Sequence, residues 1–419
     1  MIEAIRNALR IPDLRKKILF TLAIIALYRV GAHIPVPGVN PADVKDLVTG
    51  AGSALGLLNL FAGGALENFA VFALGIMPYI TSTIIMQLLQ AVIPTLERWS
   101  KEGEAGQRKI TQTARYMTLG IALMESLGLL TVFQAAPPNG LGVNFDLLTE
   151  AVIIVSLIAG TAAIMWMGEL ITQRGIGNGM SLLIFASIVS RFPTTIVASF
   201  QVNAWLMLGM LVISLLVVAA VVFMEGGQRR IPVQYAKRVV GRRVYGGVGT
   251  YIPLKVNGAN VIPIIFASSV LLFPATVAKF FTSVVWLQRI ADALSSGWVH
   301  LVLFAALIVF FAYFYTALVF NPIETADNLR KNGGFIPGVR PGRPTSEYIT
   351  NVLNRITLPG ALFLAAVAVV PQALAQQTGD PLVAAFGGTS ILIMVGVALE
   401  TMRQLESQLQ MRHYDGFFK

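Results

Sequence analysis

NLFAGGALENFAVFALGIMPYITSTIIMQLL, residues 59–89, joins two unlike segments. Residues 59–70 are too apolar for an ordinary surface loop, yet a glycine pair and Glu67 make them too broken and polar to cross a bilayer alone. The run that follows, residues 69–90, is almost wholly apolar and has the length of about 20 residues that a helix needs to cross a hydrocarbon core. The stretch therefore predicts a short half-helix placed directly before a transmembrane helix.

The composition of the whole chain is that of a membrane protein. Of its 419 residues, 55% are hydrophobic and 12% are charged, and the mean hydropathy is +0.71. A soluble protein carries about 25% charged residues. We therefore expect an all-α polytopic membrane protein with ten transmembrane helices. The ten apolar runs lie at residues 18–34, 69–90, 116–135, 149–170, 180–199, 204–224, 260–278, 299–320, 352–373 and 385–401.

Several functional classes are disfavoured by residues that the sequence lacks. It contains no cysteine, which removes disulfides, cysteine-ligated metals and thiol catalysis. It contains three histidines and no HExxH sequence, which argues against a metal-dependent intramembrane protease. No cleavable secretory signal is expected, and residues 1–17 are predicted to form a basic amphipathic helix on the membrane surface. We expect no catalytic residues, no metal site and no cofactor.

The distribution of basic residues predicts the orientation in the membrane. With ten spans, both termini and the even-numbered loops lie on one side, which holds 26 of the 31 lysines and arginines. Basic residues accumulate in cytoplasmic loops, so both termini are expected in the cytoplasm. The basic residues left for the other side are Arg29, Lys45, Arg191, Lys279 and Arg289.

Two loops on the basic side are long. Residues 225–259 contain VVGRRVYGG and TYIPLKV, whose alternation and flanking glycines predict a β-hairpin standing off the membrane. Residues 320–349 contain GGFIPGVRPGRPTSEY, which predicts a structured turn. The basic residues of both loops are explained equally well by the positive-inside rule and by a docking surface for a large acidic partner.

The two halves of the sequence echo each other weakly. IMPYITST in the second span aligns with VIPIIFASS in the seventh, so that Pro78 and Ile80 match Pro263 and Ile265. Five spans per half require the two copies to insert in opposite directions. We interpret both prolines as mid-span residues that weaken the helical hydrogen-bond ladder and mark a moving seam.

Few ionisable groups interrupt the spans. Arg29, Glu125 and Glu169 lie within or at the edge of apolar runs, where snorkelling or a structural ion pair is the simpler explanation. A secondary transporter built on inverted repeats stays an alternative. It would need a mid-membrane carboxylate that couples ions to transport, and the sequence gives poor support for one.

GIGNGMS, residues 175–181, superficially resembles a nucleophile motif. It lies between the fourth and fifth spans with no histidine or lysine partner in view. A tight turn in which Asn178 or Ser181 caps the fifth span is the better interpretation.

These motifs together resemble the SecY family, the channel subunits of bacterial Sec protein translocons. The resemblance covers nearly the whole chain and keeps the family's motif order. The motifs are IPVPGV (34–39), NLFAGGALENFAVFALGIMPYI (59–80), KEGEAGQRKITQTARY (101–116), RGIGNGMSLLIFASIV (174–189), RRIPVQYAKR (229–238), KVNGANVIPIIFASSVLLFP (255–274), FIPGVRPG (335–342) and GGTSILIMVGVALE (387–400).

The resemblance implies ten helices in two inverted, pseudo-symmetric halves that close like a clamshell around a pore. The expected divisions are a cytoplasmic N-terminal helix, two halves of five spans and a cytoplasmic tail. Their bounds are residues 1–17, 18–200, 201–404 and 405–419.

The resemblance also assigns roles to residues. A ring of aliphatic side chains closes the pore in this family, and Met180 stands where isoleucine is more usual. The ring positions are Ile76, Ile80, Met180, Ile184, Ile265 and Ile393. A plug half-helix, residues 57–70, caps the ring and includes Asn59, Phe61, Gly63, Gly64, Leu66, Glu67 and Asn68. Spans two and seven form a lateral gate with Pro78, Thr81, Thr83, Gln87, Pro263, Ser268, Ser269 and Phe273.

The implied activity is passage of unfolded secretory polypeptides across the bacterial inner membrane, with release of membrane segments sideways into lipid. No nucleotide-binding loop is present, so a partner is expected to supply the energy. The implied partners are the SecE and SecG subunits, the SecA motor ATPase, the ribosome, signal peptides, nascent chains and lipids. Docking of the motor or the ribosome is implied for Arg229, Arg230, Lys237, Arg238, Arg242, Arg243 and Arg340.

Overall fold

The fold is taken from a computed structural model of the chain. The described residues are 9–37, 39, 44, 59, 61–134, 146–202, 204–235, 238–240, 243–245, 249–278, 285–295, 297–378 and 388–415. Several predicted positions lie outside them, namely residues 1–8 of the N-terminal helix, residues 57, 58 and 60 of the plug, Gly38, Lys237 and Arg242. The side chains of Arg238, Arg243 and Phe273 also lie outside the described part.

A helix coincides with each of the five spans predicted in the first half. A short sixth helix follows the second span. These helices are α1 (Pro12–Gly31), α2 (Met77–Val92), α3 (Pro94–Lys101), α4 (Glu104–Gln134), α5 (Leu147–Arg174) and α6 (Gly179–Val202).

The second half repeats this arrangement and adds strands. A helix again coincides with each predicted span, and a short helix again follows the seventh. The helices are α7 (Ala204–Gly226), α8 (Ile262–Ala278), α9 (Val285–Ser295), α10 (Gly297–Val319), α11 (Pro322–Lys331), α12 (Arg343–Thr378) and α13 (Gly388–Asp415).

The helices differ in how fully they meet the length and hydropathy of a membrane span. Within the described residues, Leu147–Arg174, Gly297–Lys331 and Arg343–Ala373 are long and apolar enough to cross a membrane. A fourth is added if α2 and α3, which meet at a bend of 100°, are counted as one broken span. Shorter apolar helices lie within α6, α7 and α8.

The positions of the two gate prolines correct the sequence interpretation. The second span was expected from residue 69, but α2 begins only at Met77, so Pro78 is its second residue. Pro263 is likewise the second residue of α8. The first turn of a helix needs no backbone N–H donors, so neither proline weakens a hydrogen-bond ladder. The matching positions of the two prolines support the internal repeat, whereas the proline inside α8 is Pro274.

One hydrophobic core joins the two halves. Helix α2 contacts α8, and α6 contacts both α7 and α13. The core's buried residues come from every span except the third, together with residues 61–76. The seam between the halves is therefore continuous with the interior of each half.

The loops between α7 and α8 and between α10 and α12 meet in a small sheet. Strand β1 (Gln228–Tyr235) pairs antiparallel with β4 (Thr250–Lys255) on one edge and with β5 (Gly334–Phe335) on the other. Strands β2 (Arg238–Val240) and β3 (Arg243–Tyr245) form a separate hairpin. The prediction of a hairpin is confirmed, but TYIPLK pairs with QRRIPVQY rather than with VVGRRVYGG.

A second contact between the halves lies at the start of α1. Leu14 of α1 packs with Ile176 and with Leu405 of α13. The Thr21 hydroxyl accepts a hydrogen bond from the backbone N–H of Ile176 at 3.2 Å. The turn after α5 is thereby held between the first and the last spans.

Helix α5 touches the chain before α2 at Gly160. A Cβ at this glycine would lie 1.9 Å from the backbone carbonyl oxygen of Val71, which cannot move aside as a flexible side chain would. We expect Gly160→Ala to lower the free energy of unfolding by about 1–3 kcal/mol, the usual effect of overpacking. Thermal unfolding of the purified protein in detergent measures it.

Gly120→Ala is the matched control, because a Cβ at Gly120 of α4 would meet nothing within 4 Å. Its melting temperature should stay unchanged or rise slightly, since alanine favours helix. Equal melting temperatures for the two variants would contradict the close approach of α5 to Val71.

Candidate functional site

The structure brings the six predicted ring residues into one hydrophobic cluster. Five of the six are buried within it, and Met180 is half-buried and packed against it. The Met180 thioether lies over Gly168 of α5, where a Cβ would come within 2.3 Å of the sulfur. The five buried members are Ile76, Ile80, Ile184, Ile265 and Ile393.

The ring residues lie near the first turns of four helices. Ile76 immediately precedes α2, and its carbonyl oxygen accepts the backbone N–H of Ile80 at 3.2 Å. Ile265 is the fourth residue of α8, the place that Ile80 has in α2. The internal repeat thus places Ile80 and Ile265 equivalently on the two helices that contact each other across the seam.

The segment expected to form a half-helix is helical at Asn59 and Phe61 and then continues as turns. Described residues 62–69 and 71–76 are turns, with positive φ angles at Gly63, Gly64, Phe69 and Gly75. A right-handed helix cannot continue through left-handed residues, which explains the difference. Its apolar side chains are nevertheless buried, with Phe61, Leu66 and Phe69 at most 4% exposed.

The end of this segment is held by an isolated antiparallel β-bridge. Pro35 and Ala70 are the paired residues. The N–H of Val36 donates to the Phe69 carbonyl, and the N–H of Val71 donates to the Ile34 carbonyl, both at 2.9 Å. The IPV residues that follow α1 therefore fix the point where the segment turns toward α2.

Two arginines hold the segment from neighbouring spans. Arg29 Nη1 donates to the carbonyl oxygen of Gly63 at 2.9 Å. Arg191 of α6 forms an ion pair with the Glu67 carboxylate, which also accepts a hydrogen bond from Asn59 Nδ2 at 2.7 Å. The Glu67 side chain is therefore paired and only 21% exposed.

Tyr28 of α1 contacts the same segment and links it to α6. The Tyr28 hydroxyl hydrogen-bonds to Ser187 of α6 at 2.6 Å and donates to the Ala62 carbonyl at 3.4 Å. Its ring stacks on Phe72 at 5.8 Å between centroids. Sequence reasoning missed this contact and the pairing of Arg29 and Arg191 with the segment. The available signal was that both arginines belong to the five basic residues assigned to the poorly charged side.

Four hydroxyl groups of the two gate helices form hydrogen bonds within their own halves. Ser82 of α2 donates to the Ala114 carbonyl of α4 at 2.6 Å. Thr83 donates to the Ile80 carbonyl within α2, and Ser268 and Ser269 donate to the Ile265 carbonyl within α8. Thr81 is buried at 7% exposure.

Gln87 of α2 differs from these hydroxyls. Among the described residues, its side-chain carbonyl oxygen is buried without a hydrogen-bond partner. A buried unpaired acceptor costs about 1–3 kcal/mol.

The ionisable groups in the apolar runs have different environments. Arg115 forms a bidentate pair with Glu169, with distances of 2.7 and 2.6 Å, which confirms a structural role for Glu169. Arg29 binds the Gly63 carbonyl, as described above. One carboxylate oxygen of Glu125 is buried without a partner in the described part of the chain.

The GIGNG turn has the predicted cap. Asn178 Oδ1 accepts the backbone N–H groups of Met180 at 3.1 Å and Ser181 at 3.4 Å. Asn178 rather than Ser181 therefore caps α6. The turn also packs on α13, since a Cβ at Gly177 would lie 3.3 Å from the Thr401 hydroxyl oxygen.

The expected docking residues lie on the sheet and the loop paired with it. Arg229 and Arg230 are exposed on β1, and the Arg230 guanidinium lies 4.8 Å from the centroid of the Tyr251 ring. Arg340 is exposed in the turn after β5, where its carbonyl accepts the Thr345 hydroxyl at 2.8 Å. The pairing of β5 with β1 therefore joins the two basic loops in one structural unit.

Comparisons with known proteins agree with this arrangement. The SecY family model matches residues 70–402. Protein translocase subunit SecY of Streptomyces galbus is 51% identical over 437 residues, covering 100% of each chain.

Two solved structures are similar in fold. One is described as showing that the plug domain of SecY stabilises the closed state of the translocation channel and maintains a membrane seal (TM-score 0.65, 18% identity, 93% and 91% of the two chains). The other is Sec61 in the canine ribosome–channel complex from the endoplasmic reticulum (TM-score 0.63, 17% identity, 93% and 91%). The end-to-end identity and the family match together establish that the chain belongs to the SecY family, as a subunit of the protein translocase that forms a protein-conducting channel.

Proposed function

We propose that the six-residue ring is the closed waist of this channel and that residues 59–70 are its plug. One observation carries the proposal. Phe61, Ala62 and Ala65 belong to a segment that cannot span a membrane, and they share one apolar cluster with Ile80 and Ile265 from opposite halves. An apolar constriction resists water and ions by dewetting, and its flexible side chains separate around a passing chain.

Orientation follows from the same geometry and from charge. Arg29 lies near the end of the first span and Arg191 lies in the second half of the fifth, and both reach the plug. Odd-numbered spans run in one direction, so the plug lies on the side opposite the termini. Because 26 of the 31 basic residues fall on the terminal side, that side is the cytoplasm of a bacterial inner-membrane protein.

The lateral gate is the contact between α2 and α8. Membrane segments leave through it into lipid, whereas secretory chains pass on through the ring. The hydroxyl groups of Ser82 on α2 and Ser268 on α8 form hydrogen bonds within their own halves. The two helices can therefore separate without breaking those hydrogen bonds. In the proposed division, α2 belongs to the half of residues 18–200 and α8 to the half of residues 201–404.

The basic unit formed by β1 and the turn at Arg340 docks cytoplasmic partners. Positive charge suits the SecA motor and the ribosome, and the latter fits the similarity to a ribosome-bound channel. Contact with RNA phosphates should weaken steeply with salt. The chain is a conduit without catalytic activity of its own, held with SecE and SecG, and it receives signal peptides and nascent chains. A secondary transporter is not favoured, because the family match is to a translocase.

The Glu67–Arg191 pair is expected to hold the plug closed. In a reporter chain with Ala65→Cys, whose native side chain is fully buried, a membrane-impermeant maleimide added outside reacts only when the plug leaves. Glu67→Gln should speed this labelling by about 5- to 30-fold, as loss of one or two kcal/mol would.

Glu97→Gln is the matched control, since its pair with Lys101 is exposed at 57% and 74%. It should leave the labelling rate unchanged. The double exchange Glu67→Arg with Arg191→Glu should restore slow labelling. Unchanged labelling in Glu67→Gln would show that the pair does not hold the plug.

The ring assignment is tested with Ile80→Asn and Ile393→Asn. Removing a buried aliphatic side chain from the seal gives up about 1.5–3 kcal/mol of apolar burial, so the resting ion leak should rise at least about tenfold. Conductance of the reconstituted channel measures it, and signal-sequence requirements should relax in the same variants. Val302→Asn, at a position 66% exposed on α10, controls for adding an amide to a span. Equal leak in all three variants would refute the ring.

Docking is tested by reversing charge at Arg340. Arg340→Glu should impair SecA-driven export into proteoliposomes while leaving membrane insertion and thermal stability intact. Arg108→Glu, which alters an exposed arginine at the start of α4, is the control and should export normally. Full motor coupling in Arg340→Glu would rule out this docking role.

A further inference from the structure

The short helices that follow the two gate helices occupy equivalent places in the two halves. Helix α3 follows α2, and α9 follows α8. Helices of 8 and 11 residues rise about 12 and 17 Å, too short to cross a bilayer. Both contain a tryptophan, Trp99 in α3 and Trp286 in α9.

The two helices differ in what covers their apolar side chains. In α3, Leu96 is 8% exposed and Trp99 is half-buried, and both pack with Ile110 of α4. The polar residues of α3, such as Glu97 and Arg98, are exposed. The protein itself therefore covers the apolar face of α3.

Helix α9 leaves an apolar face exposed. Trp286 is 65% exposed and Ile290 is 47% exposed, one turn apart on the same side of the helix. Arg289 is exposed on that side as well. Directly after α9, Trp298 and Val302 at the start of α10 are 69% and 66% exposed. Trp286, Ile290 and Arg289 thus share one exposed face of α9, between the end of the seventh span and the start of the eighth.

The last turn of α9 is fixed to the protein, because the side to which Trp286 and Ile290 belong reaches the core at Leu294. Leu294 packs against the central core. The Leu294 carbonyl oxygen lies 2.6 Å from Nδ1 of His300, which is therefore its donor, and His300 Nε2 lies 3.0 Å from Gln372 Nε2 of α12. His300 is only 5% exposed. These contacts set the rotation of α9 about its axis, so the exposed face is a fixed feature of the fold.

We propose that this face, defined by Trp286, Arg289 and Ile290, binds the phospholipid surface of the outer leaflet. An amphipathic helix at the end of a span lies where hydrocarbon meets headgroups, the place that tryptophan side chains prefer. Arg289 is placed beside the apolar pair, where its charge complements a lipid phosphate. The bilayer surface thereby holds the end of gate helix α8, whereas α3 is held at the end of α2 by its packing on α4.

The inference rests on the proposed topology only for the choice of leaflet. Depth measured from the nearer surface of the bilayer is the same whichever way the chain is inserted, and it does not require a translocating channel. Failure of the pore proposal would therefore leave this result unchanged.

Spin-label accessibility tests the contact. The chain contains no cysteine, so Ile290→Cys gives this chain a single nitroxide when it is labelled before assembly of the complete translocase. The translocase is then reconstituted in nanodiscs of phosphatidylethanolamine and phosphatidylglycerol. Relaxation by oxygen should exceed relaxation by a water-soluble nickel chelate, at a depth near the headgroups. Glu97→Cys on the polar face of α3 should show the reverse. Greater nickel access at residue 290 would mean water, and shielding from both reagents would mean a protein partner. Either result overturns the proposal.

Tryptophan quenching gives an independent measurement on a milder variant. Lipids brominated near the top of the acyl chain should quench part of the native fluorescence, and Trp286→Phe should remove a larger quenchable share than Trp99→Phe. Equal shares would contradict lipid contact at α9.

The phosphate contact of Arg289 is tested in the spin-labelled chain. The depth of the nitroxide at residue 290 should differ between zwitterionic and anionic nanodiscs, and Arg289→Gln should abolish that difference. A shift that persists would overturn the phosphate contact.

Discussion

Backbone amides and carbonyls inside a membrane protein must find partners within the chain, and residues 62–76 do so without forming a regular helix. The apolar core that buries these residues offers no water to replace a missing hydrogen bond. Local turn bonds supply some partners, such as Gly64 N–H to the Asn59 carbonyl. The bridge to Val36 and the guanidinium of Arg29 supply others from outside the segment. The surrounding chain therefore supplies hydrogen-bond partners that the segment does not provide for its own backbone.

That dependence explains where the polar residues of the first half lie. The polar contacts described for residues 61–67 lead to Tyr28, Arg29, Asn59 and Arg191, all within the first half. Across the seam the segment meets the second half through the shared apolar core. In the proposed mechanism, the plug therefore parts from the second half without breaking an ion pair, but it leaves the ring only when the Glu67–Arg191 pair breaks.

How far the sequence predicts this structure depends on the kind of signal. The ten spans and the β-hairpin were predictable because hydropathy and alternation extend over many residues, and so was the cap at Asn178. The start of α2 was not, because residues 69–76 are as apolar as the helix itself and only their backbone angles set them apart. Pro78 was predicted to weaken the hydrogen bonds of its helix. It lies in the first turn of α2, where a proline leaves the helical hydrogen bonds intact. The partner of Glu67 lies 124 residues away, a distance that no local pattern encodes.

The free-energy cost of separating α2 from α8 depends on the lipid that surrounds them. Lipid tails are as apolar as isoleucine, so separated apolar helices exchange one set of dispersion contacts for another at little net cost. A charged pair across the same seam would leave two unsatisfied ions in hydrocarbon on opening. Hydroxyls that bond within their own half, such as Ser82 and Ser269, avoid a smaller version of that penalty. Because the contact between α2 and α8 is apolar, the two helices separate at little cost in the proposed mechanism. The plug stays in place until the Glu67–Arg191 ion pair breaks.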